Sequence, residues 1–305
     1  MFEIFIVKIK NMYSNIKNLI QTIRVWQWVK NLIVFTMPVG LGTLDLNILL
    51  DVLISFFGIS LISSSNYIIN DIIDIDIDKS HPIKRNRPIA NGSITLRTAK
   101  LFFLIFLASG LLILNYLNYE TLFFGLFYFF GGILYTWKFK FFPYIDVITI
   151  SFLFLIRVWI GSSAVNIQPS SYLTLFIFFS SLCLAISKRV TIYQDTNILD
   201  NSKYKKFLKN SYDLKFLNRL LKLFSILALL TYVLWVFIVK TNFEITVANI
   251  FLIFSILFLT RVFIGIVLVS NSSGLEDFVI SMVKNKKELF YLICAVSFLL
   301  IGVYG

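Results

Sequence analysis

The chain has 305 residues, of which 58% are hydrophobic and only 14% are charged. Soluble proteins contain about 45–50% apolar and about 25% charged residues, so this composition argues against a soluble domain. In a soluble protein the net charge of +12 would suggest a nucleic-acid partner. Cationic loops on the cytoplasmic side of a membrane explain it more simply, and we expect no nucleic-acid partner.

Long apolar runs recur along the whole chain, and many approach the length of about 20 residues that a helix needs to cross a bilayer. Residues 1–31 are mixed apolar and basic, with an apolar stretch too short for a signal peptide, so we interpret them as a cytoplasmic lead-in. We predict an all-α, polytopic membrane protein with one domain over residues 1–305. The nine predicted spans are 32–47, 52–70, 98–116, 119–137, 145–165, 170–190, 222–240, 246–268 and 287–305.

Lysine and arginine are distributed unevenly between the two sides of these spans. They cluster before the first span and after each even-numbered span, whereas the opposite loops are nearly free of them, with Lys240 as the exception. Because cytoplasmic loops are enriched in lysine and arginine, the N-terminus is predicted to be cytoplasmic and the C-terminus outside. The expected location is the plasma membrane, or the inner membrane of a two-membrane cell. The two cysteines, Cys183 and Cys294, lie in apolar runs and are predicted to be free thiols.

Four aspartates follow Asn70 at the end of the second predicted span. In a helix, Asp71, Asp74 and Asp78 stand at positions i, i+3 and i+7 and share one face, whereas Asp76 points elsewhere. Neighbouring carboxylates repel one another unless a cation lies between them. Oxygen ligands favour Mg²⁺, which usually takes substrate phosphates as further ligands, so these three aspartates are candidate metal ligands. The alternative is a solvated helix end, but acids there would oppose the helix dipole.

A basic segment, residues 79–92, follows the aspartates directly. Lys84, Arg85 and Arg87 have the charge and donor geometry that phosphate oxygens require. Positive charge that only sets the orientation of the protein in the membrane would not explain why this basic segment lies directly beside the aspartates. His81 precedes a proline in this loop, and we interpret it as a surface residue.

Further polar clusters end or begin other spans on the same predicted face, although each could also be an interfacial anchor. Arg157 lies inside the fifth predicted span, where an arginine must face the bundle interior. It could bind a lipid phosphate or pair with a buried acid. Arg261 is a second arginine inside a span. The clusters add these candidate substrate-binding residues: Lys30, Asn31, Tyr135, Lys138, Lys140, Lys188, Arg189 and Tyr193.

Nine spans with Asn-Asp-x-x-Asp-x-x-x-Asp at residues 70–78 resemble the UbiA superfamily of membrane prenyltransferases. The resemblance covers nearly the whole chain and implies a UbiA-type helical bundle, in which two Asp-rich motifs hold Mg²⁺ and an isoprenyl diphosphate. The chain departs from this pattern after span six, where Lys188-Arg189 stands in place of a second acidic pair. That departure, with Trp28-Val-Lys-Asn, residues 81–92 and Tyr135-x-x-Lys-x-Lys, is similar to the decaprenyl-phosphate phosphoribosyltransferase branch.

Resemblance to this branch implies transfer of 5-phosphoribose from phosphoribosyl pyrophosphate to a polyprenyl phosphate, with Mg²⁺ as cofactor. It places the metal and pyrophosphate at Asn70 and the three aspartates, with Asp74 and Asp78 as the catalytic candidates that orient the acceptor. Lys84, Arg85 and Arg87 would neutralise the leaving pyrophosphate or hold the 5-phosphate. The remaining cations would complete the donor and lipid-phosphate sites. A second copy of the chain is a further candidate partner.

Two other functions remain open. A UbiA-type prenyltransferase would move an isoprenyl group from its diphosphate to an aromatic or other acceptor. Asp195 and Asp200 could form the second acidic cluster that this function requires, although their spacing is poor. A transporter or channel would hold its acids near mid-bilayer among broken helices. Here the acids lie at a predicted membrane edge beside a basic segment, which favours an enzyme.

Overall fold

The computed structural model describes residues 16–43, 45–81, 84–194, 211–241, 246–269 and 286–305. Within these ranges the regular structure is helical and there is no β-strand. Seven helices among these described residues are long and apolar enough to cross a membrane. We name the helices α1 (16–23), α2 (Thr36–Leu41), α3 (Leu46–Ile73), α4 (Ile75–Lys79), α5 (Leu96–Leu117), α6 (Tyr119–Trp137), α7 (Ile145–Ala164), α8 (Ser171–Gln194), α9 (Leu214–Leu234), α10 (Val247–Val269) and α11 (Lys286–Tyr304).

The predicted span 32–47 does not form one continuous helix. A 3₁₀ helix covers Val25–Phe35, α2 ends at Leu41, and Gly42 adopts the left-handed conformation with φ of 72°. Glycine adopts this conformation at helix ends without a steric cost. Asp45 then caps α3 by accepting a hydrogen bond from the backbone N–H of Ile48 at 2.8 Å. The predicted bounds 32–47 therefore join parts of the 3₁₀ helix, α2 and the start of α3, because the chain stops one helix and begins another there.

The seven candidate spans are α3, α5, α7, α8, α9 with its extension to Lys240, α10 and α11. Helix α6 matches the predicted bounds 119–137 but is not one of these seven. The total of nine membrane spans thus stays a prediction. The extension of α9, Trp235–Lys240, has π-helical hydrogen bonding.

Small residues let the helices of the first half approach closely. Helix α3 packs against α5 where Gly110 faces the backbone carbonyl of Gly58, so that a Cβ atom at Gly110 would lie 2.8 Å from that oxygen. A Cβ at Gly161 of α7 would clash with the carbonyl oxygen of Val34. Such contacts are typical of membrane helices, whose association depends on packing more than on apolar burial. They hold the 3₁₀ helix against α7 and thereby fix the residues on either side of it.

Helix pairs α6–α7, α8–α9 and α10–α11 build the rest of the bundle, and α7 also contacts α8. Large apolar side chains stay exposed along the outer helix faces, for example Leu112 at 68% and Phe123 at 61%. Lipid-facing surfaces have this character because the acyl chains are themselves apolar. The C-terminal ends of α3, α6 and α8 lie at one end of the bundle together with the N-terminal end of α7, as their polar contacts show.

Candidate active site

The acidic motif lies where α3 gives way to the short helix α4. Asp74 separates the two helices with φ of −90° and ψ of 10°. Asp71 and Asp78 are almost fully buried, at 3% and 2% exposure, and Asp74 is partly buried. The side chain of Asp76 is 93% exposed. The helical spacing therefore separated the inward-facing aspartates from Asp76 correctly.

Arg87 joins two of these carboxylates. Its Nη1 donates to Oδ1 of Asp71 at 3.0 Å and to Oδ2 of Asp78 at 2.6 Å. Residues 84–92 of the basic segment therefore fold back over the aspartates, as the position of the segment in the sequence suggested. Lys84 lies partly buried in the same segment, whereas Arg85 points to the exterior.

Lys140 brings the segment after α6 to the same site. Its Nζ donates to both carboxylate oxygens of Asp74, at 2.6 and 2.8 Å. Lys138, two residues earlier, is exposed. Of the two lysines that the sequence suggested in this segment, Lys140 contacts the acidic motif.

Arg24 is a site residue that the sequence analysis missed, because it was counted only as an orientation charge. Its Nη2 donates to Oδ1 of Asp71, and its guanidinium lies 4.9 Å from the centroid of the Tyr67 ring. The backbone of Arg24 is left-handed, with φ of 53°. Such strained positions occur at functional sites when the surrounding structure holds them. A signal was present in the sequence, since Arg24 stands four residues before Trp28-Val-Lys-Asn.

The burial of these charges changes their acid–base behaviour. Burial raises the pKa of the Asp78 carboxyl, and the nearby Asp71 acts in the same direction, whereas Arg87 lowers it. Burial also lowers the pKa of the Lys84 ammonium, and the charge of Arg87 adds to this, against the carboxylate of Asp78. Both groups lie beyond the end of α3. The site thus holds closely packed opposite charges in a region with little water.

The described residues contain no group of three or more Asp, Glu, His or Cys side chains arranged to hold a metal ion. Arg24, Arg87 and Lys140 instead form ion pairs with the three inward-facing aspartates. The donor chemistry nevertheless suits a hard cation, since all three groups are carboxylates. Asp71 and Asp78 also converge on one atom, Nη1 of Arg87, which marks a place for positive charge between them.

A second polar cluster lies deeper in the bundle, around Arg157. Its Nε donates to Oδ1 of Asn31 at 2.8 Å and its Nη2 to the hydroxyl of Tyr128 at 2.6 Å. Ser63 contacts the same tyrosine hydroxyl at 3.0 Å. Within the described ranges all hydrogen-bond partners of Arg157 are neutral, the third being the carbonyl oxygen of Leu153. The buried acid that the sequence analysis considered for Arg157 is therefore not found among these contacts.

Arg189 is held by an aspartate that the sequence analysis did not single out. Its Nε and Nη2 donate to Oδ2 of Asp146 at 3.0 and 2.7 Å, and both side chains are about 4% exposed. The hydroxyl of Tyr212 donates to the other oxygen of Asp146. Burial raises the pKa of the Tyr212 hydroxyl, and its hydrogen bond to Asp146 acts in the same direction. Asp146, Arg189 and Tyr212 thus connect the N-terminal end of α7 and the C-terminal end of α8 with the residues just before α9.

The remaining candidates belong to the 3₁₀ helix, to the ends of α3, α6 and α8, and to α10. Arg261 pairs with Glu288 at 3.6 Å, away from the acidic motif. Asp195, Asp200 and Pro82 fall outside the described residues. The substrate roles of all these candidates stay predictions. Five of the candidate residues are partly buried, namely Lys30, Asn70, Tyr135, Lys188 and Tyr193.

Comparison with known proteins agrees with this architecture. The model of the UbiA prenyltransferase family matches residues 32–283. The decaprenyl-phosphate phosphoribosyltransferase of Mycolicibacterium smegmatis is 30% identical over 235 residues, which cover 75% of this chain and 72% of that protein. An uncharacterized protein of Sinorhizobium fredii is 31% identical over 57% of this chain, and the match spans only 34% of that protein's length.

The fold is also found among solved structures. A UbiA homolog from Archaeoglobus fulgidus bound to DMAPP and Mg²⁺ superposes with a TM-score of 0.68 at 16% identity, covering 93% of this chain and 98% of that chain. This likeness concerns the fold. The family match includes the acidic motif, the basic segment and the segment that carries Lys140. The chain is a multi-pass membrane protein that belongs to the UbiA prenyltransferase family.

Proposed function

We propose that the protein transfers 5-phosphoribose from phosphoribosyl pyrophosphate to a polyprenyl phosphate and releases pyrophosphate. The observation that carries this proposal is the similarity of about three quarters of the chain to a decaprenyl-phosphate phosphoribosyltransferase. The cation-rich setting of the acidic motif supports it. A donor with two separate phosphate groups needs more cationic side chains than an isoprenyl diphosphate does.

Asp71, Asp74 and Asp78 are the proposed ligands of Mg²⁺, with Asn70 beside them. When bound, Mg²⁺ would offset the charge that develops on the leaving pyrophosphate. Arg24, Arg87 and Lys140 now neutralise these carboxylates. With a metal ion bound at the aspartates, the same three side chains would be available to donate to phosphate oxygens. Lys84 and Arg85 of the basic segment, with Lys138, would add to this cationic surface.

The 5-phosphate needs a second cationic region, for which we propose Lys188 with Lys30, Tyr135 and Tyr193. Arg189 would contribute mainly by position, because Asp146 holds its guanidinium. The ribose carbon gains positive character as pyrophosphate leaves, as at other glycosyl centres. The acceptor phosphate is already anionic, so the reaction needs no strong base. Asp74 or Asp78 would orient the acceptor.

The lipid phosphate is proposed to approach Arg157 and Asn31. The charge of Arg157 lies inside the bundle with neutral hydrogen-bond partners in the described residues. An arginine at such a depth is costly and is usually retained for function. An anionic head group would supply the missing countercharge. Phosphoribosyl pyrophosphate is water-soluble, which agrees with a site on the cytoplasmic side of the plasma membrane.

A second candidate is the transfer of an isoprenyl group to another acceptor, which the family membership and the fold of the DMAPP-bound homolog favour. The test uses the purified protein in nanodiscs with Mg²⁺. One reaction supplies labelled phosphoribosyl pyrophosphate and a polyprenyl phosphate, and the other supplies geranyl diphosphate with aromatic acceptors. We expect labelled lipid only in the first. Prenyl transfer without phosphoribosyl transfer would exclude the proposed reaction.

The matched variants are Asp71→Asn and Asp76→Asn, which remove one charge each from the same motif. Asp71 is buried among cations, whereas Asp76 is 93% exposed. We expect Asp71→Asn to lower transfer at least about 100-fold, as loss of a group that stabilises developing charge does. Asp76→Asn should stay within about twofold of the unchanged protein, since exposed charges contribute little. Equal losses in both variants would argue against a metal site at Asp71.

A further inference from the structure

The connection between α6 and α7, residues 138–144, carries Lys140 to the acidic motif. Its backbone forms a 3₁₀ turn at Phe139–Phe141 before α7 begins. Phe141 and Phe142 are about half exposed, at 52% and 44%, so their rings contribute little to holding the connection against the bundle. One end of the connection is fixed by α6. The position of Lys140 therefore also depends on what holds the other end.

Tyr144, the last residue of this connection, has a strained backbone. Its φ of 65° and ψ of −37° lie outside the regions that a bulky residue normally adopts. The N–H of Ile145 donates to the carbonyl oxygen of Pro143 at 2.8 Å, which closes a three-residue γ-turn around Tyr144. Turns of this kind with a positive φ are rare and strained. Such a conformation persists only when the surrounding structure holds it.

The side chain of Tyr212, just before α9, holds this turn in place. Its hydroxyl accepts the backbone N–H of Tyr144 at 3.2 Å and donates to the carboxylate of Asp146 in the first turn of α7. Its ring packs edge-on against the Tyr144 ring, with centroids 5.0 Å apart and an angle of 69° between the planes. Tyr212 is 4% exposed, so these contacts are shielded from water. One buried side chain thus contacts the strained residue through both its backbone and its ring.

Lys140 lies four residues before the strained turn and is linked to it by a short stretch of backbone. The N–H of Asp146 donates to the carbonyl oxygen of Phe142 at 3.1 Å, so the hydrogen-bonded turn begins only two residues after Lys140. A shift of Tyr144 would therefore move the lysine. Lys140 contacts both oxygens of Asp74, at 2.6 and 2.8 Å, and this contact requires an accurate position. Misplacement of a catalytic group by about 1 Å can slow a reaction about 100-fold.

We infer that Tyr212 is a positioning residue, which holds the turn at Tyr144 and thereby sets Lys140 against the acidic motif. Its hydroxyl contacts Tyr144 and Asp146 and not the aspartates of that motif, so it acts through the lysine and not on a substrate. The inference rests on one part of the proposed function, the donation from Lys140 to phosphate oxygens. It does not depend on which group is transferred, because pyrophosphate leaves in both candidate reactions.

The test measures binding of pyrophosphate in the presence of Mg²⁺ by calorimetry, with the purified full-length protein in nanodiscs. Tyr212→Phe keeps the ring and removes only the hydroxyl. We expect this variant to weaken pyrophosphate binding about tenfold, because a displaced Lys140 loses a charged hydrogen bond to the anion. Lys140→Met should weaken binding to a similar extent. The double variant should lose no more than Lys140→Met alone, because Tyr212 acts through this lysine.

Tyr232→Phe is the matched control. The hydroxyl of Tyr232 is also buried and lies 2.8 Å from that of Ser255, but it stands further along α9, away from the acidic motif. Both tyrosine variants should lower the unfolding temperature by about 2–4 °C, because each loses a buried hydrogen bond. Tyr232→Phe should nevertheless leave pyrophosphate binding unchanged.

The double variant separates positioning from a purely structural role. Additive losses in Tyr212→Phe with Lys140→Met would show that Tyr212 does not act through the lysine and would overturn the inference. Unchanged binding in Tyr212→Phe, an equal loss in Tyr232→Phe, or no pyrophosphate binding by any of these proteins would also overturn it. The expected pattern of binding in a protein that shows no phosphoribosyl transfer would support this inference while it refutes the proposed reaction.

Discussion

Arg24→Gln tests whether a side chain of the protein occupies the place that a metal ion takes in the loaded enzyme. Arg24 donates to Oδ1 of the buried Asp71, which also accepts from Arg87 at 3.0 Å. A metal ion that binds Asp71 must first displace these donors. Removal of Arg24 takes away one competitor while Arg87 still partners the carboxylate. We therefore expect Mg²⁺ alone to bind the variant more tightly than it binds the unchanged protein.

The magnitude follows from the geometry of this pair. Two unit charges about 4 Å apart interact by about 4 kcal/mol at an effective dielectric constant of about 20. Most of this is offset when the released guanidinium regains water, and a hydrogen bond to a charged group has a net value of about 1.5–3 kcal/mol. Because Arg87 still partners Asp71, we take the lower end, which is about a tenfold change in affinity.

The assay has two parts with opposite expected signs. Calorimetric titration of Mg²⁺ without substrate should give a dissociation constant about tenfold lower for Arg24→Gln. Phosphoribosyl transfer should fall about tenfold or more, because the variant has lost a donor to phosphate oxygens. Lys79→Gln is the control, since Lys79 is 56% exposed and its pair with Asp76 at 3.9 Å is open to solvent. An unchanged or weaker affinity for Mg²⁺ in Arg24→Gln would refute this account of the acidic motif.

Three further outcomes are expected. Asp146→Asn should lower the free energy of unfolding by about 3 kcal/mol, measured by denaturant titration in detergent, because it removes the carboxylate that pairs with buried Arg189; a cost below about 1 kcal/mol would contradict this. Lys140→Met should slow transfer at least about tenfold through loss of the contact to Asp74, whereas Lys138→Met, at an exposed position, should not. Chelation with EDTA should abolish transfer and added Mg²⁺ should restore it, and transfer that persists in EDTA would remove the metal from the proposal.

Several features of the fold follow directly from local sequence. Composition and apolar run length indicated a polytopic helical protein, and the helices observed from residue 46 onward lie close to the predicted spans. The bounds of the first predicted span cross a break between two helices, because apolar length alone does not show where a helix ends. Gly42 and Asp45 carried that information, since one adopts a left-handed conformation and the other caps the next helix.

The acidic motif shows which contacts can be predicted from local sequence and which cannot. Its helical spacing by itself separated Asp71, Asp74 and Asp78 from Asp76, because neighbours three, four and seven residues apart share a helix face. The cations that neutralise these carboxylates depend on distant parts of the chain. Arg24 is 47 residues from Asp71, and Lys140 is 66 residues from Asp74. No local rule selects such partners, because the packing of the helices brings them together.

The same distinction holds for Arg189. In the sequence Arg189 had the features of a phosphate donor, but the packing of α7 against α8 places it on Asp146, 43 residues away. The sequence by itself determined that this is a helical membrane protein with a carboxylate-rich motif beside a basic segment. Only the tertiary structure decided which cations neutralise the carboxylates, because these contacts form between helices and not along them.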